Sequence, residues 1–408
     1  MSGLHLGLDL GTTSLVGCLW SAVGETVAAA SCDNPQQVFG ADVIQRMEVA
    51  RKGKGKDLQR QLVAGINALV AQLLTEADCS LTQIRSASAA ANPAISHLLA
   101  DQPIDSILFP PHRPEFAAGD FLASAPLGLN LPVPLYLLPL ISGYVGGDLL
   151  AVLLGSPPDE RPTLYVDLGT NAELALWTGQ DWLVTSVAAG PAFEAGSLAC
   201  GMRYDHGAVT EVALVKDRFA LTVAGGGPPK GICGSGLFAL LSTARQAGLL
   251  AADGRIRAAD EIDSNLARFL IADRQAWALQ VYRDARTVLR VSQADVRAFQ
   301  LAKGAVLAGV NCLLQRTGLQ AEQLASVRIA GALGGALPVA ALKGVAILPE
   351  IVLEKCRFLP GAVLAGLLHL QQEKGLVQAR KLASSLKAYP LSGTPVFEKA
   401  FLASLDFS

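Results

Sequence analysis

The heptapeptide GLDLGTT at residues 7–13 stands near the start of the chain, and a near-copy, VDLGTN, stands at 166–171. Their aspartates, Asp9 and Asp167, lie 158 positions apart. Residues 4–10 alternate Leu with His, Gly and Asp, the period-two pattern of a strand. SLVGCLWSAV (14–23) follows, so the segment reads as a hairpin of two strands joined at Gly11, Thr12 and Thr13. TLYVDLGTNAELALW (163–177) reads as strand, tight turn and strand once more.

The repeated turn has a physical rationale. Gly11 and Gly169 permit the bend and a close backbone approach. The amides that follow point toward an anion, as in a nest, and Thr12, Thr13, Thr170 and Asn171 add side-chain donors. Asp9 and Asp167 have the wrong sign for phosphate but suit Mg²⁺ and its waters. A single such string is common. Two copies, each opening one half of the chain, imply two cradles that grip one polyphosphate from both sides of a cleft.

Around these turns the sequence is organised as α/β. DLQRQLVAGINALVAQLLTEAD (57–78) has helical apolar spacing after an Asp start. The Pro-rich stretch 103–134 reads as loops and short strands, and ISGYVGGDLLAVLLG (141–155) as a Gly-rich loop entering a helix. The polar SPPDERP (156–162) marks the best boundary. After the second turn come a small-residue loop (188–202), a Gly-Ser-Gly turn opening a helix (231–250), a long helix stopped by Gly (295–318), a strand ending in glycines (326–338) and a closing helix (361–375). The expected division is 1–155, 156–360 and a closing segment, 361–408.

Composition narrows the function. The 408 residues are 51% hydrophobic, with 33 basic and 35 acidic side chains, which leaves no electrostatic footprint for nucleic acid. The most apolar stretch, 131–155, is interrupted by prolines, glycines and Asp148, so it reads as buried strand, loop and helix rather than a membrane span. The N-terminus lacks the basic start and apolar run of a signal peptide, and a soluble cytoplasmic protein is expected. The seven cysteines are scattered, with no C-x-x-C spacing, so no iron–sulfur cluster is expected in this chain.

The order of DLGTT, GYVGGDLLA, DLGTN and IAGALGG resembles the superfamily of acetate and sugar kinases, heat-shock ATPases and actin. The resemblance implies an α/β fold of duplicated ribonuclease-H-like, actin/hexokinase-type halves with a nucleotide cleft between them. More specifically, the chain resembles the ATPase part of the reductive activators of corrinoid proteins. The resemblance rests on NPQQVFGADVIQRM (34–47), GYVGGD (143–148), VDLGTNAEL (166–174), AAGPAFEAG and GMR (within 188–203), GICGSGL (231–237), QADVRAFQLAKGAVLAG (293–309) and PVFEKAFLASLDF (395–407).

That likeness implies ATP and Mg²⁺ as cofactors. It implies a corrinoid protein or corrinoid methyltransferase as partner, whose Co(II) is reduced to Co(I), an uphill step driven by the nucleotide-bound state. Family members usually carry an N-terminal iron–sulfur domain. Here a separate donor such as a ferredoxin, or a longer chain, would supply the electron. A homodimer is among the assemblies the likeness admits. A small-molecule kinase on the same scaffold, or a nucleotide-switched binding module, are the alternatives. The family's AGNTTM appears here as AANPAI (90–95), its AGGFG as AGALGG, and its Gly-Asn before the last helix as Gly361-Ala362.

Individual residues then take candidate roles. Asp9 and Asp167 position Mg²⁺. Asp148 either caps its helix or orients an attacking water. Glu173 either reaches the metal's water shell or pairs with a neighbour. Gly331, Gly334 and Gly335 either let adenosine lie on the backbone or serve packing. Gly234, Ser235 and Gly236 present helix N-terminal amides to phosphate or ribose. Lys303 either flanks the nucleotide or faces solvent. The basic run RKGKGK (51–56) reads as a solvated loop or a dock for an acidic partner.

Overall fold

Four alternating leucines set the first sheet. In the structure, a computed structural model that describes residues 3–196, 198–331 and 337–408, β1 (Leu4–Leu10) buries Leu4, Leu6, Leu8 and Leu10 on one face. β2 (Ser14–Trp20) lies antiparallel beside it, and β3 (Thr26–Asp33) beside β2. A 3-10 turn, Pro35–Phe39, leads into α1 (Val43–Val49) and then α2 (Gly55–Glu76). Leu62, Ile66, Leu69 and Leu73 of α2, at spacings of four, three and four, bury against the leucines of β1 and β2. The helix starts slightly earlier than the sequence suggests, so Asp57 lies in its first turn rather than at its cap.

β4 (Ile84–Ala91) pairs in parallel with β1 and leads into α3 (Pro93–Leu99). The Pro-rich stretch holds only short pieces: α4 (Asp105–Leu108), β5 (Asp120–Leu122) and α5 (Ser124–Leu127). β6 (Leu135–Leu137) completes a sheet ordered β3-β2-β1-β4-β6-β5, and α6 (Gly147–Gly155) follows. The apolar stretch 131–155 is thus strand, loop and helix. No helix among the described residues is long and apolar enough to cross a membrane.

The pattern then restarts. β7 (Thr163–Leu168) and β8 (Asn171–Trp177) form an antiparallel hairpin, followed by β9 (Trp182–Ala188). β10 (Ala208–Val215), β11 (Arg218–Val223) and β12 (Gly231–Ile232) make a small sheet against α7 (Gly234–Gln246). β13 (Leu270–Asp273), β14 (Ala276–Arg283) and β15 (Val288–Ser292) form a meander. α8 (Gln293–Thr317) opens with a Ser292–Asp295 capping box and ends at Gly318 in the left-handed conformation. β16 (Ser326–Ala330) pairs in parallel with β7 on the side away from β8, repeating the place of β4 beside β1. α9 (Val339–Gly344) and β17 (Cys356–Phe358), parallel to β16, follow.

The last stretch is α10 (Ala362–His369), α11 (Gly375–Ser385), β18 (Leu386–Ala388) and α12 (Pro395–Ala403). The chain gathers into two compact units: residues 1–159, 180–185 and 361–389, and residues 160–179, 186–360 and 390–408. The span 361–408, read from sequence as one closing segment, is therefore divided. The cause is a close helix crossing inside the first unit. A Cβ on Gly366 would overlap the Ala151 carbonyl oxygen, and one on Gly155 would sit 2.7 Å from the Gly366 nitrogen. α10 and α6 therefore meet backbone to backbone, an approach only glycine allows. Leu367 of α10 also lies against Gly7, covering the face of β1 opposite its leucines.

Candidate functional site

The first turn is held from two sides. The Gly11 N–H donates to the Ser14 carbonyl (2.9 Å), and a Cβ on Gly11 would stand 2.8 Å from that same oxygen. Asn34, fully buried, caps the 3-10 turn by accepting the Gln36 N–H at 3.0 Å. Its Nδ2 donates to the Gly11 carbonyl (2.8 Å) and its backbone N–H to the Thr13 carbonyl (2.9 Å), which Gln37 Nε2 also meets at 2.6 Å. Asn92 works in the same way from the end of β4. Its Oδ1 accepts the Ile95 N–H of α3 at 3.0 Å, and its Nδ2 donates to Thr12 Oγ1 at 3.1 Å. Each asparagine precedes a proline, the pairing that suits an N-cap and a first helical residue.

The connecting segment reaches the same place. A Cβ on Gly146 would overlap the Ala91 carbonyl and lie 2.6 Å from Asn92 Cα, so the start of α6 is pressed onto the end of β4. Gly146 is the N-cap, not Asp148 as one sequence reading has it. Asp148 stands in the first turn of α6, where its Oδ1 accepts the Leu149 N–H at 2.9 Å. Burial pushes its carboxyl up to about 6, against the pull of those backbone hydrogen bonds. Asp9, Thr12, Asn92 and Asp148 therefore belong to one neighbourhood within the first unit, built by the ends of β1 and β4 and the start of α6.

The second turn is one residue tighter. Leu10 pairs with Leu15 across the first hairpin, whereas Leu168 pairs with Ala172 across the second. The slip changes what faces the aspartate: Val16 lies opposite Asp9, but Glu173 lies opposite Asp167. Glu173 is buried and accepts the Ser186 hydroxyl at 3.0 Å, so it does pair with a neighbour. Thr170 donates its hydroxyl to Glu194 Oε1 at 3.2 Å, and its carbonyl accepts the Gly190 N–H at 2.7 Å. Gly169 is tight as well, with a Cβ there 3.2 Å from the Asn171 carbonyl.

Gly331 ends β16 at φ +124°, and a Cβ there would overlap the Leu168 carbonyl. The glycine is therefore required by packing, and that packing brings the strand end expected to carry adenosine against the second turn. Gly334 and Gly335 lie outside the described residues. Gly234, Ser235 and Gly236 do open α7, and all three are buried. A Cβ on Gly236 would overlap the Val209 carbonyl, so this glycine lets the helix lie on β10. The Ser235 hydroxyl shares a 3.3 Å hydrogen bond with Cys233 Sγ.

Lys303 does not face solvent. It is fully buried, its ammonium donates to the Asp406 carbonyl and, at 3.5 Å, to the Ala346 carbonyl, and it lies 5.5 Å from the Phe407 ring centroid. Burial pulls its pKa down to about 8, partly opposed by the Asp406 carboxylate. Arg245 and Gln300 bind the neighbouring carbonyls of Phe407 and Leu405, both at 3.0 Å, so the three side chains together strap down the tail. The basic run 51–56 is largely exposed; Arg51 stands near Glu48 and Asp105, and Lys56 pairs with Asp101. All seven cysteines are free.

Asn34, Asn92, Ser186 and Glu194, which hold the two hairpins by hydrogen bonds, were passed over by the motif reading. Two were visible as Asn-Pro dipeptides, a turn-and-cap signal. The donor sets suit different ligands. At the first turn the carbonyls of Gly11 and Thr13 are covered by donors, which fits an anion. The second sets Asp167 opposite Glu173 and ties Thr170 to Glu194, which fits a hydrated cation. Among the described residues no group of three or more His, Cys, Asp and Glu side chains is placed to hold a metal by itself. Mg²⁺ there would keep waters and phosphate oxygens as its remaining ligands.

Comparison with known proteins supplies the wider setting. Residues 161–408 match the family model described as the C-terminal domain of RACo, the ASKHA domain, and residues 4–159 match the RACo middle region. A curated relative, the corrinoid activation enzyme RamQ of Eubacterium limosum, is 30% identical over 369 residues, covering 85% of this chain and 60% of the relative. The [Co(II) methylated amine-specific corrinoid protein] reductase of Methanosarcina barkeri is 40% identical over 76 residues, 18% of this chain and 14% of the relative. The solved structure of a reductive activator for corrinoid, iron–sulfur protein superposes with a TM-score of 0.91 at 26% identity, over 99% of this chain and 66% of that one. The chain thus spans about three fifths of the length of the RamQ relative. The fold is that of an ASKHA domain with mixed α/β architecture.

Proposed function

Because the chain belongs to the RACo family, we propose that it binds Mg–ATP and uses ATP binding and hydrolysis to drive reactivation of a corrinoid protein or corrinoid methyltransferase. In that reaction one electron, supplied by an iron–sulfur donor such as a ferredoxin, takes the partner's cobalt from Co(II) to Co(I). The relatives support the corrinoid side of this reading, since one is described as a corrinoid activation enzyme and the other as a reductase of a corrinoid protein.

The observation that carries the nucleotide side is the pair of clamped turns with opposite donor character. Thr12 and Thr13, after the Gly11 bend, present N–H and O–H donors to the phosphates, and Gly169, Thr170 and Asn171 present their backbone amides. Asp9 and Asp167 would hold Mg²⁺, which neutralises phosphate charge when bound. Asp148, in the first turn of α6 with its carboxyl raised toward neutrality, orients the attacking water. Glu173, fixed by Ser186, braces the Asp167 side of the second hairpin.

An uphill reduction needs differential affinity: the nucleotide-bound protein must bind the reduced or ligand-exchanged corrinoid state more tightly than the resting one. The test is phosphate release by the purified chain with and without a Co(II)-corrinoid protein. Stimulation by that partner, abolished in Asp9→Ala, is expected. Phosphate appearing on a small-molecule acceptor instead would identify a kinase. Tight ATP binding without release would identify a nucleotide-switched binding module.

A further inference from the structure

We infer that Asn92 is a positioning residue that fixes Thr12 as a hydrogen-bond donor toward the phosphates, an inference that rests on the nucleotide reading above. A threonine hydroxyl has one hydrogen and two lone pairs, and which it shows to a ligand depends on its other partner. At Thr12 the partner's polarity is determined by the backbone. The Ile95 N–H can only donate, so the atom of Asn92 that faces it at 3.0 Å is the amide oxygen. The amide nitrogen is thereby turned to Thr12 Oγ1 at 3.1 Å, and it can only donate. Thr12 accepts that bond and keeps its own hydrogen for something else. Both side chains are buried, with Thr12 8% and Asn92 7% exposed, so water competes little for the arrangement.

Asn34 performs the parallel task on the backbone of the same turn. Its oxygen is held by the Gln36 N–H and its nitrogen covers the Gly11 carbonyl, while Gln37 covers the Thr13 carbonyl. Three acceptor atoms of the turn are thus occupied by donors from outside it, so a phosphate oxygen, which only accepts, meets fewer rival acceptors there. The second turn shows the opposite wiring, since Thr170 gives its hydrogen to Glu194. The AANPAI segment keeps the asparagine of the family's AGNTTM, and through it carries a specific job.

The experiment is calorimetric titration of the whole chain with Mg–ATP, combined with thermal unfolding. Asn92→Asp preserves the helix cap, because Asp caps as well as Asn, but its carboxylate takes the Thr12 hydrogen and turns lone pairs toward the phosphates. Asn92→Ser also preserves the cap and removes the donor without adding charge. We expect Kd for Mg–ATP to rise about tenfold or more in Asn92→Asp and roughly threefold to fivefold in Asn92→Ser, with Tm within about 2 °C of the parent. The loss in Asn92→Ser should disappear when Thr12 is already valine, because the residue acts through that hydroxyl. Unchanged affinity in both variants, or an equal loss from Asn92→Ser with and without Thr12→Val, would overturn the inference while leaving the nucleotide reading intact. A parent chain that fails to bind Mg–ATP would overturn that reading and this inference with it.

Discussion

The turns at 9–13 and 167–171 begin with the same four residues, Asp-Leu-Gly-Thr, yet their surroundings differ in kind. The first is gripped by amides: Asn34, Gln37 and Asn92 spend their N–H groups on its acceptors. The second is surrounded by carboxylates, with Glu173 across from Asp167 and Glu194 on Thr170. One residue of loop length separates them, and in the second turn the tighter register sets Glu173 rather than Leu174 opposite the aspartate. The shared four letters leave the difference to the residues that follow each turn and to the side chains that reach it from elsewhere.

This contrast can be broken most directly with the two aspartates. Asp9→Ala should cost at least about a hundredfold in phosphate release, as loss of a preorganised electrostatic group does, and added Mg²⁺ should restore only a small part of it. Asp167→Asn should raise the Mg²⁺ concentration needed for half-maximal activity by roughly ten- to a hundredfold, with activity returning as Mg²⁺ is raised. Equal metal rescue in both variants would erase the distinction between the turns.

A smaller effect sharpens the assignment of Asp148 to the first turn's side. Its carboxyl, raised to about 6 by burial, is ionised above that pH and neutral below. Activity should therefore fall about tenfold per pH unit below 6, and the acid limb should vanish in Asp148→Asn along with most of the rate. The linkage runs the other way for stability. The folded state binds this proton more tightly than the unfolded chain, so the group favours folding as pH drops through 6. Asp148→Asn should accordingly be more stable than the parent at pH 7.5 in urea unfolding.

The smallest effect concerns Lys303, which the contrast leaves out of either turn. Its pKa is about 8 in the folded chain against an ordinary 10.5. Between those values the unfolded chain holds the proton and the folded one does not, so stability from this group rises with pH across that window. Lys303→Met should flatten that rise in denaturation curves taken from pH 7.5 to 10.5, while Kd for Mg–ATP changes less than about twofold. A loss of nucleotide affinity as large as that of Asn92→Asp would instead make Lys303 a nucleotide contact.

Much of the scaffold was legible. The alternation at Leu4, Leu6, Leu8 and Leu10, the four-three-four spacing in α2 and the Gly318 stop of α8 are local signals, and local physics alone produces them. The site was legible only as far as its strings. The one-residue slip between the hairpins depends on where the return strand begins to pair, which DLGT does not encode. Gly236 and Gly331 looked like ligand glycines, but each faces a carbonyl of a strand distant in sequence, Val209 and Leu168. Lys303 carried an unused clue, since Phe299, Lys303, Val306 and Val310 fall at core spacing on α8 and all four are buried. The placement of α10 beside α6 needed the fit of Gly155 to Gly366, a pair no periodicity links.

That crossing bears on how the protein is made. α6, which begins beside Asp148, receives its partner helix only after about two hundred further residues have been translated. At roughly 5–20 residues per second, the ribosome holds the first unit unfinished for some 10–40 s, with Trp20 but not yet Leu367 over the Gly7 face of β1. Apolar surface left open in a nascent chain favours aggregation, so a synonymous-codon change that slows elongation between 160 and 360 should lower soluble yield without altering the finished molecule.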